Sequence, residues 1–198
     1  MSDDEGEAVA GFRAAPGGAT ARFAAAQAAI IRDLVGQIAE LVADEIPDEG
    51  GTAGTGSAAA DLASQLGVSD ATELPDDPVL ARLLPDAYRD DPAASGEFRR
   101  YTEQGLRSAK VAAARTVLAT LPPSGGKIRL SEPEAQAWLR ALNDVRLALS
   151  VRLGITDELD EQEDLAADDP AADNPRSAYM WVYQWLAILQ ESLVEALS

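Results

Sequence analysis

Proline, often with an acidic or amide residue before it, punctuates the chain from residue 75 onward and sets where helices can begin and end. Asp77-Pro78 reads as an N-cap with proline at the first helical position, and Pro85 ends the short helix so opened. Asp91-Pro92 or Ser95 starts a long helix running to about Leu121, where Pro122-Pro123 stops it. Asn174-Pro175 opens a last helix to about Leu197. Proline has a fixed φ and no N–H, so it fits a first turn and disrupts a helix interior. Ser131 and Glu134 make the S-x-x-E capping box of one further helix, the one that carries Trp138.

Between these marks apolar residues recur with the helical period. Trp138, Leu142, Val145, Leu149 and Leu153 share one arc, which Leu139 extends. Ile31, Leu34, Ile38, Leu41 and Val42 share one face of a helix over about 24–45. In the long helix the stripe expected to face the core is Phe98, Tyr101, Thr102, Gly105, Leu106, Ala109, Ala113 and Val117. Pro16-Gly17-Gly18 marks a turn inside 9–23, which predicts a small hairpin, and "KIRL" (127–130) reads as a strand. The fold class is therefore mainly α: a helical bundle of about four main helices with a minor β element, a short hairpin near the N-terminus and a short strand at 127–130. Residues 1–8 read as a disordered acidic tail. Residues 9–198 read as a single helical domain with flexible inserts at 46–61 and 156–175.

Function is bounded first by what the chain lacks. Its 198 residues include no cysteine and no histidine. A thiol nucleophile, a thiol redox switch, a usual zinc site and a His-based triad are all excluded. Catalysis would have to rest on carboxylates, Lys, Tyr or Ser, or on a carboxylate-bound Mg²⁺ or Ca²⁺. The chain accordingly reads as a non-enzyme without catalytic residues, metal or cofactor; a carboxylate-dependent metal enzyme is the less favoured alternative. The acidic segment 156–175 lacks the alternating ligands, central glycine and final glutamate of an EF-hand loop and reads as a solvated linker.

The net charge of −18 speaks against direct binding to nucleic acid or anionic lipid. No stretch approaches the roughly 20 apolar residues of a membrane span, and "MSDDEGEAVAG" lacks the basic-then-apolar order of a signal peptide. A cytoplasmic protein is expected. Its charge is uneven, however: residues 80–155 carry twelve basic side chains against eight acidic ones, so the acidity belongs to the ends and loops. Arg100 and Arg107 share a helix face, with Arg99 and Arg115 nearby, and could meet an acidic partner.

Two further features stand out. Arg146 falls between Leu139 and Leu153 on a core-facing stripe, where an unpaired guanidinium would cost several kcal/mol. Glu103 is its expected partner in a buried structural ion pair; Asp144 lies on the far side of its own helix, facing Arg140. The last helix has two apolar faces: Tyr179, Val182, Tyr183, Leu186, Leu193 and Leu197 on one, Trp181, Trp185 and Ile188 on the other. A surface helix needs one such face, so the second is buried by the chain or offered to a partner. Trp181, Trp185 and Ile188, with Arg100 and Arg107, are the candidate interaction surface.

Three stretches, "DDPVLARLLPDAYRDDPAASGEFRRYTEQGL", "AWLRALNDVRLALSVRLGI" and "YMWVYQWLAILQESLVEAL", together resemble an actinobacterial domain-of-unknown-function family that includes an oxidative-stress transcriptional regulator. The likeness covers roughly 76–197, with RLLPDAY and NDVRLAL its specific parts, and the helix at 24–45 is similar in pattern. It implies a cytoplasmic regulator acting through a protein partner, a sigma factor or RNA polymerase, and supplies no catalytic residues. A thiol-based oxidant sensor needs cysteine, so this chain departs from that mode of sensing. The alternative is a structural homodimer that uses the same surface.

Overall fold

A reversal at Pro16-Gly17 starts the fold. Gly17 and Gly18 have φ of 77° and 153°, and a Cβ at Gly18 would collide with the Leu130 carbonyl oxygen. The turn lays β1 (Arg13–Ala15) antiparallel on β2 (Gly18–Phe23), and β2 pairs antiparallel with β3 (Gly126–Ser131), Gly18 opposite Ser131 and Phe23 opposite Gly126. Glycine is needed at position 18 because two strands close on it at once. The strand expected at 127–130 is thus the outer member of a three-stranded sheet ordered β1-β2-β3.

The computed structural model describes residues 11–43, 72–88, 90–155 and 175–198. Among them lie five helices: α1 (Ala25–Ala43), α2 (Pro78–Leu83), α3 (Pro92–Thr120), α4 (Glu132–Leu153) and α5 (Pro175–Leu197). The architecture is mainly α with a minor β sheet, as the sequence predicts. The readings for 1–8, 46–61 and 156–174 fall outside the described residues; Pro175 opens α5.

The helix boundaries follow from local chemistry. Asp77 Oδ1 accepts from the N–H groups of Val79 (2.8 Å) and Leu80 (2.9 Å), with Pro78 at the first position. Asp91 Oδ1 accepts from Ala94 N–H at 2.9 Å ahead of Pro92. These acceptors satisfy donors that a helix start leaves free. Glu134 accepts from the Ser131 hydroxyl at 2.7 Å and, reaching back, from the Ser131 N–H at 2.8 Å; the hydroxyl bond first, then the backbone one, holds its carboxyl below the ordinary range. Gly154, at φ 69°, closes α4 in the left-handed conformation.

One apolar core joins the sheet to the helices. Phe12, Ala19, Ala21, Phe23, Ile128 and Leu130 turn inward, β2 and β3 alternating as strands do. They meet Trp138 of α4, which is fully buried with ring centroids 5.5 Å from Phe12 and 5.7 Å from Phe23. Its indole N–H donates to Thr120 Oγ1 at 2.8 Å, tying α4 to the end of α3. Leu142, Val145, Leu149 and Leu153 continue this arc and are all buried, as are Ile31, Ile38 and Val42 of α1.

Candidate functional site

The first half of α3 packs with its polar side inward. Arg99, Glu103 and Arg107 stand four residues apart on one face and are 5%, 4% and 2% exposed. Glu103 lies between the two guanidiniums: Arg99 Nη1 donates to Oε2 at 2.8 Å, and Arg107 donates to Oε1 from Nε (2.9 Å) and Nη2 (2.7 Å). Arg99 Nη2 also reaches Asp86 at 2.8 Å, so two positive and two negative groups balance. Burial alone would lower the Arg99 pKa, but its hydrogen bonds and charge contacts with Glu103 and Asp86 hold it above the ordinary arginine value.

Helix ends explain why charge is buried here. Arg107 Nη1 donates to the Val42 carbonyl in the last turn of α1 (3.1 Å), and Arg99 Nη2 to the Leu84 carbonyl that follows α2 (3.1 Å). Arg32 of α1 returns the contact, donating to Leu118 and Leu121 carbonyls at the end of α3 (2.6 and 2.7 Å). Arg176 of α5 lies 3.4 Å from the Leu153 carbonyl of α4. The last carbonyls of a helix lack intrahelical donors and carry partial negative charge. Four helices therefore end against an arginine from elsewhere in the chain.

Turning the charges inward turns the apolar stripe outward. Of the residues expected in the core, Ala113 and Val117 are buried, but Phe98, Tyr101 and Leu106 are 47%, 59% and 46% exposed. Gly105 and Ala109 are exposed as well. Phe98 packs edge-on against Tyr88, itself half exposed (centroids 6.2 Å). Between α2 and α3 a groove is lined by Leu84, Pro85, Phe98, Thr102, Leu106 and Arg99, whose Nε is buried without a hydrogen-bond partner among the described residues.

Arg146 and Glu103 do not pair. Glu103 is engaged on both oxygens by arginines of its own helix, and Arg146 faces α5, where Nη1 donates to Gln190 Oε1 at 2.8 Å and the guanidinium sits 5.1 Å over the Tyr183 ring. Arg146 still fastens one helix against another, through a neutral acceptor and a cation–π contact instead of a carboxylate. Asp144 is the buried acid of α4: it is 4% exposed and accepts from Lys110 Nζ of α3 at 2.6 Å, not from Arg140. Burial pushes the Asp144 carboxyl above its ordinary pKa, and the Lys110 hydrogen bond and charge only partly oppose this.

The folded state therefore holds the Asp144 proton more tightly than the unfolded chain. Stability contributed by this group falls as pH rises from the ordinary aspartate value through the raised one. Glu134, with its lowered pKa, has the opposite sign: its contribution is present above the ordinary value and fades as pH drops through the lowered one. Urea unfolding followed between about pH 3 and 7 should show Asp144→Asn losing the downward component. Equal pH dependence of the variant and native protein would contradict the assignment.

The proposed interaction residues separate. Trp181 and Ile188 are 56% and 55% exposed. Trp185 is buried at 7%, packed in the core with its ring stacked on Trp181 (5.8 Å, 14°). It lies behind the exposed Trp181 ring. Arg107 is buried in the α3 ladder and Arg100 is half-buried, so the basic row does not form an open patch. Among the described residues, no group of three Asp or Glu side chains could hold a metal ion, and no helix is long and apolar enough to cross a membrane.

The Arg99–Glu103–Arg107 ladder escaped the sequence reading, although its signal was there: opposite charges at successive i,i+4 steps. Such ladders usually face solvent; what reverses this one is the pair of helix ends beneath it.

Residues 9–197 match the domain of unknown function DUF2017. The chain is 35% identical over 182 residues to the oxidative stress regulator AosR of Mycobacterium tuberculosis (strain H37Rv) and equally to that of Mycobacterium bovis, covering 85% of this chain and 77% of each relative. It is 43% identical over 136 residues to the Mycobacterium leprae protein of the same name, covering 62% of this chain and 59% of that protein, less than two thirds of its length. No solved structure matches the chain. With nearly its full length matched, the chain belongs to the DUF2017 family, as the resemblance in its α2–α3, α4 and α5 segments implies.

Proposed function

We propose that this chain is a non-enzymatic, cytoplasmic regulator of the oxidative-stress response that acts by docking on a protein of the transcription machinery, a sigma factor or RNA polymerase. The observation that carries the docking reading is the Trp181–Trp185 pair: an exposed indole stacked on a buried one, with Ile188 exposed on the same side of α5. A pre-ordered aromatic loses little freedom on binding and serves as an interface anchor. The relatives' names support the regulatory role. With no cysteine, the chain does not sense an oxidant through a thiol of its own.

The test is binding of purified sigma factors and core RNA polymerase from the source organism to immobilised protein. Native protein should bind one of them, and Trp181→Ala/Ile188→Ala should weaken that binding by roughly 30-fold or more, as loss of a hot spot does. Both side chains are exposed, so circular dichroism should show an unchanged fold. Full affinity in the variant would remove α5 as the docking surface; absence of binding to every component would remove the reading itself.

A further inference from the structure

We propose that the exposed face of α3 is a self-association surface, on which a second copy of this chain packs its own α3 antiparallel about Gly105. The face reads, in order, Phe98, Tyr101, Gly105, Ala109 and Ala112, all exposed and within about 80° of arc at 100° per residue. Its two ends are complementary in size. Tyr101 and Ala109 lie four residues either side of Gly105, about 6 Å along the axis, and Phe98 and Ala112 lie seven either side, about 10.5 Å. A two-fold axis at Gly105 therefore sets each helix's aromatic residues against the other's alanines, and the reverse contact repeats by symmetry.

Space and charge agree with this pairing. Among the described residues, a Cβ at Gly105 would have nothing within 4 Å, so the crossing point is open to them and the helices can approach closely there. Glu97 and Arg115, both exposed, lie on one edge of the same face, eight residues before Gly105 and ten after it. The two-fold operation keeps that edge on the same side, so Glu97 of each copy comes beside Arg115 of the other. A different partner would need neither the size palindrome nor this charge placement; a second copy uses both. The surface is one helix face, which fits a weak dimer with a dissociation constant on the order of micromolar. It stands on a different helix from the Trp181 surface and does not rest on the docking role proposed for α5.

Sedimentation of the full chain over a wide concentration range tests it. Native protein should shift from monomer to dimer. Gly105→Glu puts like charges on the two-fold axis while substituting a better helix former, so the variant should fold and remain monomeric. Glu97→Arg alone and Arg115→Glu alone should each weaken the dimer about fivefold, and the double exchange should restore it. A native chain that is monomeric at every concentration overturns the proposal. So does a dimer that Gly105→Glu leaves intact, or single exchanges that the double does not rescue. Trp181→Ala should leave the dimer unchanged, which separates the two surfaces.

Discussion

Glu103→Gln should lower stability by about 3–5 kcal/mol in urea unfolding, the largest loss expected from a single change of charge among the described residues. The substitution keeps the side-chain volume but leaves Arg99 and Arg107, 5% and 2% exposed, without the carboxylate that joins them. Neither guanidinium can be neutralised, and neither can reach water without breaking its hold on the Leu84 or Val42 carbonyl. Replacing Arg99, Glu103 and Arg107 together by Met, Leu and Met separates the ionic cost from the capping role. Apolar replacement removes the uncompensated charge, so the triple variant should be more stable than Glu103→Gln. It should still fall below the native protein, because two helix-end carbonyls lose their donors. A triple variant no better than the single would mean that the arginines act only as caps.

Trp138→Ala should cost a similar amount, about 3–5 kcal/mol, for a different reason. Trp138 is fully buried and touches the rings of Phe12 and Phe23, so its removal opens a cavity where α4 meets the sheet. It also cuts the hydrogen bond to Thr120 that joins α4 to the end of α3. Trp138→Phe keeps most of the ring contact, and Thr120 keeps its bond to the Thr116 carbonyl, so the loss should be clearly smaller. Equal losses for the two variants would place the cost in the indole hydrogen bond and not in packing.

Much of this architecture was legible before any contact was known. The arc of α4 from Trp138 to Leu153 lies in the core as its spacing predicts, and the hairpin and the third strand are where Pro16-Gly17-Gly18 and the KIRL run put them. Arg146 stands out in the sequence as a charge on an apolar arc, but the partners it has in place of Glu103 are not legible there: Gln190 and Tyr183 lie 44 and 37 residues away and carry no charge to mark them. Trp185 parts from its helical neighbours for a related reason. Helical spacing groups it with Trp181 and Ile188, and only the neighbouring elements determine that the core ends between Trp185 and Trp181.

The starts of α2, α3, α4 and α5 and the stops of α2, α3 and α4 were determined by the sequence itself, because proline, Asp77, Asp91, the Ser131–Glu134 pair and Gly154 act on backbone groups within four residues of themselves. Which face of α3 turns inward was decided by tertiary structure alone. An apolar stripe and a charged ladder compete for the interior at equal helical spacing, and hydrophobicity favours the stripe. The outcome reverses because α1 and α2 end beside α3 and present carbonyls that need donors, which Arg99 and Arg107 supply and Glu103 balances. Those ends lie 15 and 65 residues away in the chain, a relation that no local pattern can hold.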